Sequence, residues 1–334
     1  MKKINNKILL LLFLVLAIIA VIMFLNDRKK GERTFKSELF TIDSANVTAI
    51  TIYPKGKGKG TLDLVKAGKT WEVRYDNRSY PADTMTVQRL LQALHKVTAE
   101  RVAATDRSGW KDLEITDSSS TRVVVNQGAD ISADFRVGKV SFSRNNNMQG
   151  YGGNQNVIVK SHLRVAGDDR VYVVDGFLSM MFSDQPSMYR NRMVVRFNKN
   201  DLTKLTFIYP GDSSFQLNRS GTRWLLNDKP ADSVKVENWL SSAANYSSSD
   251  FADEKAKPLT FPYTLRIEGN NLKTIEVTGA TDAVSKNYFV CSTFNPSATF
   301  GGSNSNLFNQ VFPGKARFMV SKEIPKPKAR SARK

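Results

Sequence analysis

The chain has 334 residues, of which 41% are hydrophobic and 24% are charged, a composition typical of folded rather than disordered proteins. Its single cysteine, Cys291, excludes an intramolecular disulfide framework and multi-cysteine metal sites, and two histidines provide little for metal or acid–base chemistry. The formal net charge of +18 resembles that of nucleic-acid-binding proteins, but the excess is concentrated in residues 1–36 and 315–334, so we predict no nucleic-acid partner.

The first predicted element is a transmembrane helix at residues 8–25, an uninterrupted run of 18 apolar residues. A helix of that length measures ~27 Å, close to the hydrocarbon thickness of a bilayer. The alternative is a cleaved signal peptide, which has a shorter apolar core followed by a small-residue cleavage site. We predict an uncleaved single-pass anchor, with residues 1–7 as a cytoplasmic N-terminus and residues 26–37 as a juxtamembrane linker.

The charges that flank this helix do not decide its orientation. Basic residues after the helix outnumber those before it, so a strict positive-inside count places the C-terminal side in the cytoplasm. Long domains, however, translocate largely regardless of charge, and almost the whole chain follows the helix. Because the later apolar runs are too short to span a bilayer, we predict an inner (cytoplasmic) membrane protein whose C-terminal bulk is extracytoplasmic.

The rest of the chain repeats itself once. Residues 46–54 (NVTAITIYP) resemble residues 202–210 (LTKLTFIYP), and each segment alternates in the manner of a strand. A Gly-x-x-Trp pattern follows in both copies and ends at Trp71 and Trp224. Because the two tryptophans occupy the same strand position, we predict that they pack in the core, although a platform for carbohydrate or peptide is the alternative.

A Pro-Ala-Asp triplet ends at Asp83 and recurs at Asp232, and apolar residues at helical spacing follow each triplet. Aspartate is a favoured helix N-cap, because its carboxylate accepts hydrogen bonds from free amides of the first turn. A repeated aspartate is also compatible with a paired catalytic site. We predict caps, since a cap explains the position, the neighbours and the duplication together.

The pattern predicts an α+β fold class: an N-terminal transmembrane helix followed by two repeated domains, each a mainly antiparallel β-sheet with one packed helix. The first repeat covers residues 38–174, and the second covers residues 197–321. Between them, we predict a helical linker at residues 175–196. We predict that residues 322–334 form a basic disordered tail that is suited to contact with anionic lipid, wall polymer or an acidic partner surface.

Several short motifs resemble those of the bacterial domain-of-unknown-function family 4340 over about residues 38–320. The motifs are Trp71, residues 80–83 (YPAD), residues 110–113 (WKDL) and residues 170–174 (RVYVV), together with the membrane anchor. In the second copy, Lys229 stands where Tyr80 stands in the first. The family has no assigned reaction and no established functional residues. Its members are often encoded beside ABC transporter components, including the gliding-motility type, which implies a permease or accessory subunit as partner.

The remaining candidates for chemistry have structural alternatives. Residues 55–60 (KGKGKG) suggest either a mobile hairpin loop or a contact with an anion or lipid headgroup, but they lack the helix that follows a P-loop. His95 and His162 have no predictable carboxylate partner, so we expect structural roles for both, and Cys291 is predicted to be a small buried hydrophobe.

Two Gly/Asn-rich stretches, residues 145–156 and 301–306, are predicted to be exposed loops that are able to form a binding rim. We assign no catalytic, cofactor-binding or metal-binding residue and no cofactor. The sequence favours a non-catalytic, membrane-anchored extracytoplasmic subunit or accessory protein of an ABC-type transporter complex that acts by protein binding. The alternative is a cell-envelope polymer-binding or hydrolytic protein with a site in the inter-domain cleft.

Overall fold

A computed structural model describes residues 37–320, except residues 57, 59, 145–156 and 256–258. Five predicted segments lie outside the described residues: the anchor at 8–25, its flanks at 1–7 and 26–36, the loop at 145–156 and the tail at 322–334. Among the residues that the structure describes, no helix is long and apolar enough to cross a membrane.

The described residues form twenty strands and four α-helices. The first ten strands are β1 (Glu38–Thr41), β2 (Val47–Tyr53), β3 (Leu62–Ala67), β4 (Thr70–Tyr75), β5 (Arg78–Pro81), β6 (Lys96–Ala104), β7 (Thr121–Gln127), β8 (Asp130–Arg144), β9 (Val157–Val165) and β10 (Val171–Asp175). The other ten are β11 (Met193–Arg196), β12 (Leu202–Ile208), β13 (Phe215–Ser220), β14 (Arg223–Leu226), β15 (Lys229–Pro230), β16 (Asn245–Ser247), β17 (Tyr263–Gly269), β18 (Leu272–Asp282), β19 (Asn287–Ser292) and β20 (Thr299–Gly302). The helices are α1 (Thr84–Leu94), α2 (Leu178–Met181), α3 (Ser233–Ala243) and α4 (Asn306–Val311).

The chain divides into two compact units. The described residues up to Thr61 and Arg89–Asp184 form the first unit, and Leu62–Gln88 and the described residues from Gln185 form the second. The first unit contains a sheet in the order β1-β6-β10-β9-β8-β7-β2, in which every neighbouring pair is antiparallel. This sheet is called the first sheet below.

The second unit contains a sheet in the order β15-β14-β13-β12-β17-β18-β19-β20, here called the second sheet, and the antiparallel pair β11·β16. Its neighbouring strands are also antiparallel. The antiparallel strands β3, β4 and β5 belong to this unit as well. The prediction of mainly antiparallel sheets with few helices is therefore confirmed.

The strand order recurs when elements are matched ten strands apart. The order β10-β9-β8-β7-β2 of the first sheet matches β20-β19-β18-β17-β12 of the second, and β1·β6 matches β11·β16. The hairpins β4–β5 and β14–β15 both close through two residues with positive φ, Asp76 and Asn77 (47° and 58°) in one and Asn227 and Asp228 (44° and 64°) in the other. Aspartate and asparagine tolerate this left-handed conformation, which a two-residue turn of type I′ requires.

Both repeated aspartates cap helices. The backbone N–H of Thr86 donates to Oδ1 of Asp83 at 2.7 Å, and the N–H of Lys235 donates to Oδ1 of Asp232 at 3.1 Å. Each bond satisfies an amide in the first helical turn that has no partner within the helix. The predicted caps are confirmed, and the two carboxylates have the same local role rather than forming a pair.

The residues beside the caps also correspond. The N–H of Ala82 donates to the backbone oxygen of Trp71 at 2.8 Å, as Ala231 does to Trp224 at 3.0 Å. Trp224 is only 1% exposed, and its indole N–H donates to Oε1 of Glu237 on α3 at 3.0 Å, so it packs against the helix as predicted. Trp71 is only half-buried, so the expectation of deep burial is met in one copy and not in the other.

The segment predicted as a helical linker, residues 175–196, has a mixed structure. It contains α2 and a 3₁₀ turn at Pro186–Met188, but it ends in the strand β11, which pairs with β16. A strand of four residues is too short to show an alternating pattern in the sequence, and its pairing depends on a partner about fifty residues away.

Candidate functional site

Three arginines lie side by side on neighbouring strands of the first sheet. The register pairs Arg122 of β7 with Arg136 of β8, and Arg136 with Arg164 of β9. Neighbouring strands are only ~4.8 Å apart, and like charges directly opposite each other destabilise a sheet. This arginine row (Arg122, Arg136 and Arg164) therefore needs negative charge nearby.

Two aspartates supply part of that charge. Asp134 binds Arg122 through two parallel contacts, Nε to Oδ1 at 2.9 Å and Nη2 to Oδ2 at 2.6 Å. Oδ1 of Asp117 lies 3.0 Å from Nε of Arg136 and 2.9 Å from Nη2 of Arg164. Asp134 is thus committed to one arginine, whereas Asp117 is shared between two. The cluster retains one more positive than negative charge.

Trp110, the first residue of the WKDL motif, lies under the end of the row. The guanidinium carbon of Arg164 is 3.8 Å from the centre of the Trp110 ring, a cation–π contact. The indole N–H donates to the backbone oxygen of Asp169 at 2.8 Å. The Nε of Arg164 is buried and has no hydrogen-bond partner among the described residues. Trp110 therefore stacks against the Arg164 guanidinium, which still has one hydrogen-bond donor, Nε, without a partner among the described residues.

The row lines a cleft of about 200 Å³. The lining residues are Asp117, Arg122, Asp134, Phe135, Arg136, Arg164, Ala166 and Gly167. Burial lowers the pKa of Arg136, and Asp117 opposes this effect while Arg164 and Arg122 add to it. An arginine keeps its charge despite such a shift, so the cleft remains cationic.

The second sheet has no arginine in this row. At the corresponding positions of β17, β18 and β19, the register pairs Thr264 with Thr278 and Thr278 with Cys291. The burial patterns of β2 and β12 match Tyr53 with Ile208, which moves the sequence match of residues 46–54 with 202–210 by one residue. Tyr53 pairs with Arg122 in the first sheet and Ile208 pairs with Thr264 in the second, so Thr264 stands where Arg122 stands. The same strand arrangement therefore forms without the arginines.

A second group of charged side chains lies next to Trp110. It contains Arg170, the first residue of the RVYVV motif. Arg170 donates to both carboxylate oxygens of Asp168, from Nε to Oδ1 at 3.0 Å and from Nη2 to Oδ2 at 2.8 Å. The Tyr172 hydroxyl donates to Oδ2 at 2.6 Å. The hydrogen bonds from Arg170 lower the pKa of Asp168 to about 2, and burial raises the pKa of Tyr172 to about 12. Because Asp169 accepts from Trp110, the structure brings the WKDL and RVYVV motifs together.

Asp168 predicts a pH dependence of stability. The pKa of Asp168 is lower in the folded state than its ordinary value of 3.8. The ionised carboxylate therefore stabilises the fold fully when the pH is above 3.8, and this stabilisation is lost as the pH falls through about 2. We expect the wild-type protein to lose more stability between pH 4 and pH 2 than the Asp168→Asn variant. Thermal melting across this range measures the difference, with Asp169→Asn as the control for loss of a neighbouring carboxylate. Parallel losses in wild type and Asp168→Asn would contradict the assignment.

The YPAD motif contributes to a buried clamp in the second unit. The guanidinium of Arg190 lies between the rings of Tyr80 and Phe251, 3.7 and 3.8 Å from their centres. Its Nη1 donates to Oδ2 of Asp253 at 2.8 Å, and Oδ1 of the same carboxylate accepts from the N–H of Thr299 at 2.8 Å. Because Arg190 is almost inaccessible to solvent, we assign this cluster of Arg190, Tyr80, Phe251 and Asp253 a structural role: it holds separate segments of the second unit together.

The profile of a known family, described as Domain of unknown function (DUF4340), matches residues 71–266, which is more than half of the chain. The chain belongs to the DUF4340 family. The matched range includes the WKDL and RVYVV motifs, and the resemblance based on the short motifs is confirmed. A search of curated proteins and a search of solved structures found no match.

The other candidate residues of this DUF4340 protein are engaged with the backbone or partly buried. Nδ1 of His162 lies 2.9 Å from the backbone oxygen of Lys139, and Nδ1 of His95 lies 3.0 Å from that of Ile42. Both are hydrogen-bond distances to carbonyls, in keeping with structural roles. Cys291 is half-buried, and burial raises the pKa of its thiol. Among the described residues, no group of three or more His, Cys, Asp or Glu side chains is placed to hold a metal ion.

The glycine-rich loop at residues 55–60 lies between β2 and β3, and Lys57 and Lys59 are outside the described residues. Gly56 and Gly58 have φ values of 97° and 79°, and the N–H of Gly56 donates to the backbone oxygen of Ser118 at 3.0 Å. The loop leads into a strand, so it lacks the helix N-terminus with which a P-loop binds phosphate. The arginine row was not predicted from the sequence, although each of its arginines precedes a valine in a strand-like segment.

Proposed function

We propose that this DUF4340 protein is a non-catalytic, membrane-anchored extracytoplasmic subunit of an ABC-type transporter complex and that it acts by protein binding. Residues 8–25 anchor it in the inner membrane as a single span, and both folded units lie outside the cytoplasm. The apolar N-terminal run and the recurring strand order support this proposal. That recurrence is the mark of an internal duplication, and the polar motif shared by the two copies has a structural role, since it caps helices.

The observation that supports protein binding best is an exposed apolar surface at α2. Phe177 and Met180 are 51% and 56% exposed, although both are large apolar side chains. Phe177 lines a cleft of about 220 Å³ whose lining is mainly apolar and includes Val97 and Val174, and Met180 precedes Met181, which also lines it. Exposed aromatic and methionine side chains beside a groove are typical of protein-binding surfaces.

The second copy provides an internal comparison for this surface. Phe182 and Phe312 end α2 and α4 in nearly the same backbone conformation, with φ and ψ of −104° and 71° in one and −116° and 63° in the other. Counting back from these residues, Met180 corresponds to Gln310, which is exposed and polar. An apolar side chain at this position is therefore not required by the fold, which favours a role in contact with a partner.

The test is purification of the full-length protein from membranes of its native host in a mild detergent. We expect the wild type to recover a transporter permease subunit. The double variant Phe177→Ser/Met180→Gln should reduce recovery by about tenfold or more, because interface hot spots contribute roughly 2 kcal/mol or more each. Val284→Gln, which alters an exposed apolar residue in the second unit, is the matched control and should recover as much as the wild type.

Failure to recover any transporter subunit with the wild-type protein would overturn the proposed function. Equal recovery by wild type and the double variant, with unchanged thermal melting, would show that the binding surface does not include α2.

A further inference from the structure

We infer that the arginine row, together with Trp110, is a binding site for a phosphate group. The inference goes beyond the proposed transporter function and does not depend on it, since it concerns the first sheet and its own ligand. It rests on four features of the described residues: an excess of positive charge, an exchangeable carboxylate, an unused buried donor and the contrast between the two sheets.

The charges of the cluster are unbalanced in favour of an anionic ligand. Three guanidinium groups face two carboxylates, and Asp134 is fully engaged with Arg122. The carboxylate that bridges Arg136 and Arg164 belongs to Asp117, whose side chain is 75% exposed and lies on the loop before β7. An exposed carboxylate on a loop exchanges readily with solvent. In the inferred site, the Asp117 carboxylate moves away on binding, and an oxygen of the ligand takes its place between Arg136 and Arg164.

The donors present fit a phosphate better than a carboxylate. The Nε of Arg164 is buried and unpartnered, and Nη1 of Arg136 makes only long contacts of 3.4 Å, to Ser120 Oγ and to the backbone oxygen of Asp117. A guanidinium binds oxyanions through two parallel N–H bonds, and a phosphate offers three or more acceptor oxygens and up to two negative charges. Two arginine forks on adjacent strands match that number of acceptors, whereas a carboxylate saturates a single fork.

The second sheet shows that the row is not a requirement of the fold. Thr264, Thr278 and Cys291 occupy the same register positions in strands of the same order. Uncharged side chains avoid the repulsion that three adjacent arginines create. Three adjacent arginines are expected to cost stability in the first sheet, and binding of an anion would offset that cost.

The cleft of about 200 Å³ admits a phosphate-sized group and leaves the rest of a larger ligand in solvent. Two sources share this chemistry: a soluble phosphate compound and the headgroup of a phospholipid. Both present the same oxygens to the row, so the experiment has one arm for each.

The experiment is isothermal titration calorimetry on the full-length chain in a phosphate-free maltoside detergent at constant ionic strength. One arm titrates inorganic phosphate, with sodium acetate as the carboxylate comparison. The other arm titrates mixed micelles of the same detergent with phosphatidylglycerol. The variants are Arg136→Thr, which introduces the residue of the second sheet, Arg136→Lys and Asp117→Asn. The matched control is Arg266→Thr, which removes an arginine that pairs with Glu276 in the second sheet.

We expect saturable binding in at least one arm and weaker binding of acetate. Arg136→Thr should weaken binding by about tenfold or more, because a charge-assisted hydrogen-bond pair is lost. Arg136→Lys keeps the charge but loses the fork, so it should also weaken binding and remains informative if the threonine variant fails to fold. Asp117→Asn should strengthen binding, because the competing carboxylate is removed, and Arg266→Thr should have no effect.

Binding of inorganic phosphate assigns the site to a soluble compound, and binding of phosphatidylglycerol alone assigns it to a lipid headgroup; either supports the inference. Four results would overturn it: no saturable binding in either arm, acetate binding as tightly as phosphate, an equal loss in Arg266→Thr and Arg136→Thr, or weaker binding in Asp117→Asn.

Discussion

Replacing Asp253 with Ala is expected to lower the free energy of unfolding of this DUF4340 protein by ~3–5 kcal/mol. The Arg190 side chain is 4% exposed and has one close counter-charge, at 2.8 Å, among the described ion pairs. Without it, the guanidinium remains buried between Tyr80 and Phe251 with its charge uncompensated. The measurement is chemical denaturation of the full-length protein in a non-ionic detergent, monitored by tryptophan fluorescence.

The adjacent residue provides the control for this prediction. Glu254 forms an exposed ion pair with Arg78, and exposed pairs contribute only ~0–1 kcal/mol. Glu254→Ala should therefore cost far less than Asp253→Ala. Adding Arg190→Met to Asp253→Ala should recover part of the loss, because the stranded charge is removed. A cost below ~1 kcal/mol for Asp253→Ala, equal to that of Glu254→Ala, would contradict the buried clamp.

Replacing Trp224 with Ala is expected to cost ~3–5 kcal/mol, the usual loss for a large aromatic side chain in a core. The indole is buried, and its N–H donates to Glu237, so the substitution creates a cavity and removes a hydrogen bond between β14 and α3. Trp71→Ala, the matched change in the first copy, should cost clearly less, since Trp71 is only half-buried. Denaturation curves of both variants test this order. Equal costs would mean that the two positions are equivalent despite their different exposure.

Local signals in the sequence were sufficient for much of the fold. The helix after each Pro-Ala-Asp triplet follows from apolar spacing, and the caps at Asp83 and Asp232 follow from the chemistry of aspartate at a helix start. Strands such as β2 and β12 alternate clearly. Strands of two to four residues, including β5, β11 and β15, could not be predicted, because so short a segment shows no period and is defined by its partner.

The arginine row could not be predicted from the sequence for a related reason. Arg122, Arg136 and Arg164 become neighbours only through the register of three strands, and a shift of one residue would place them on the other face. The motif residues Trp110 and Arg170 were recognised, but their proximity depends on the loop that precedes β7. The alternative of a paired catalytic site at Asp83 and Asp232 is not supported, because both aspartates cap helices.

The extracytoplasmic location of the folded units is the claim on which the proposed function depends most. The measurement is thiol labelling of the full-length protein in intact cells with a membrane-impermeant maleimide. The variant is Cys291→Ser/Val284→Cys, which replaces the half-buried native cysteine with one at an exposed position. An extracytoplasmic location predicts labelling of intact cells to the same extent as of lysed cells. Labelling that appears only after lysis would place the units in the cytoplasm and contradict the proposed function.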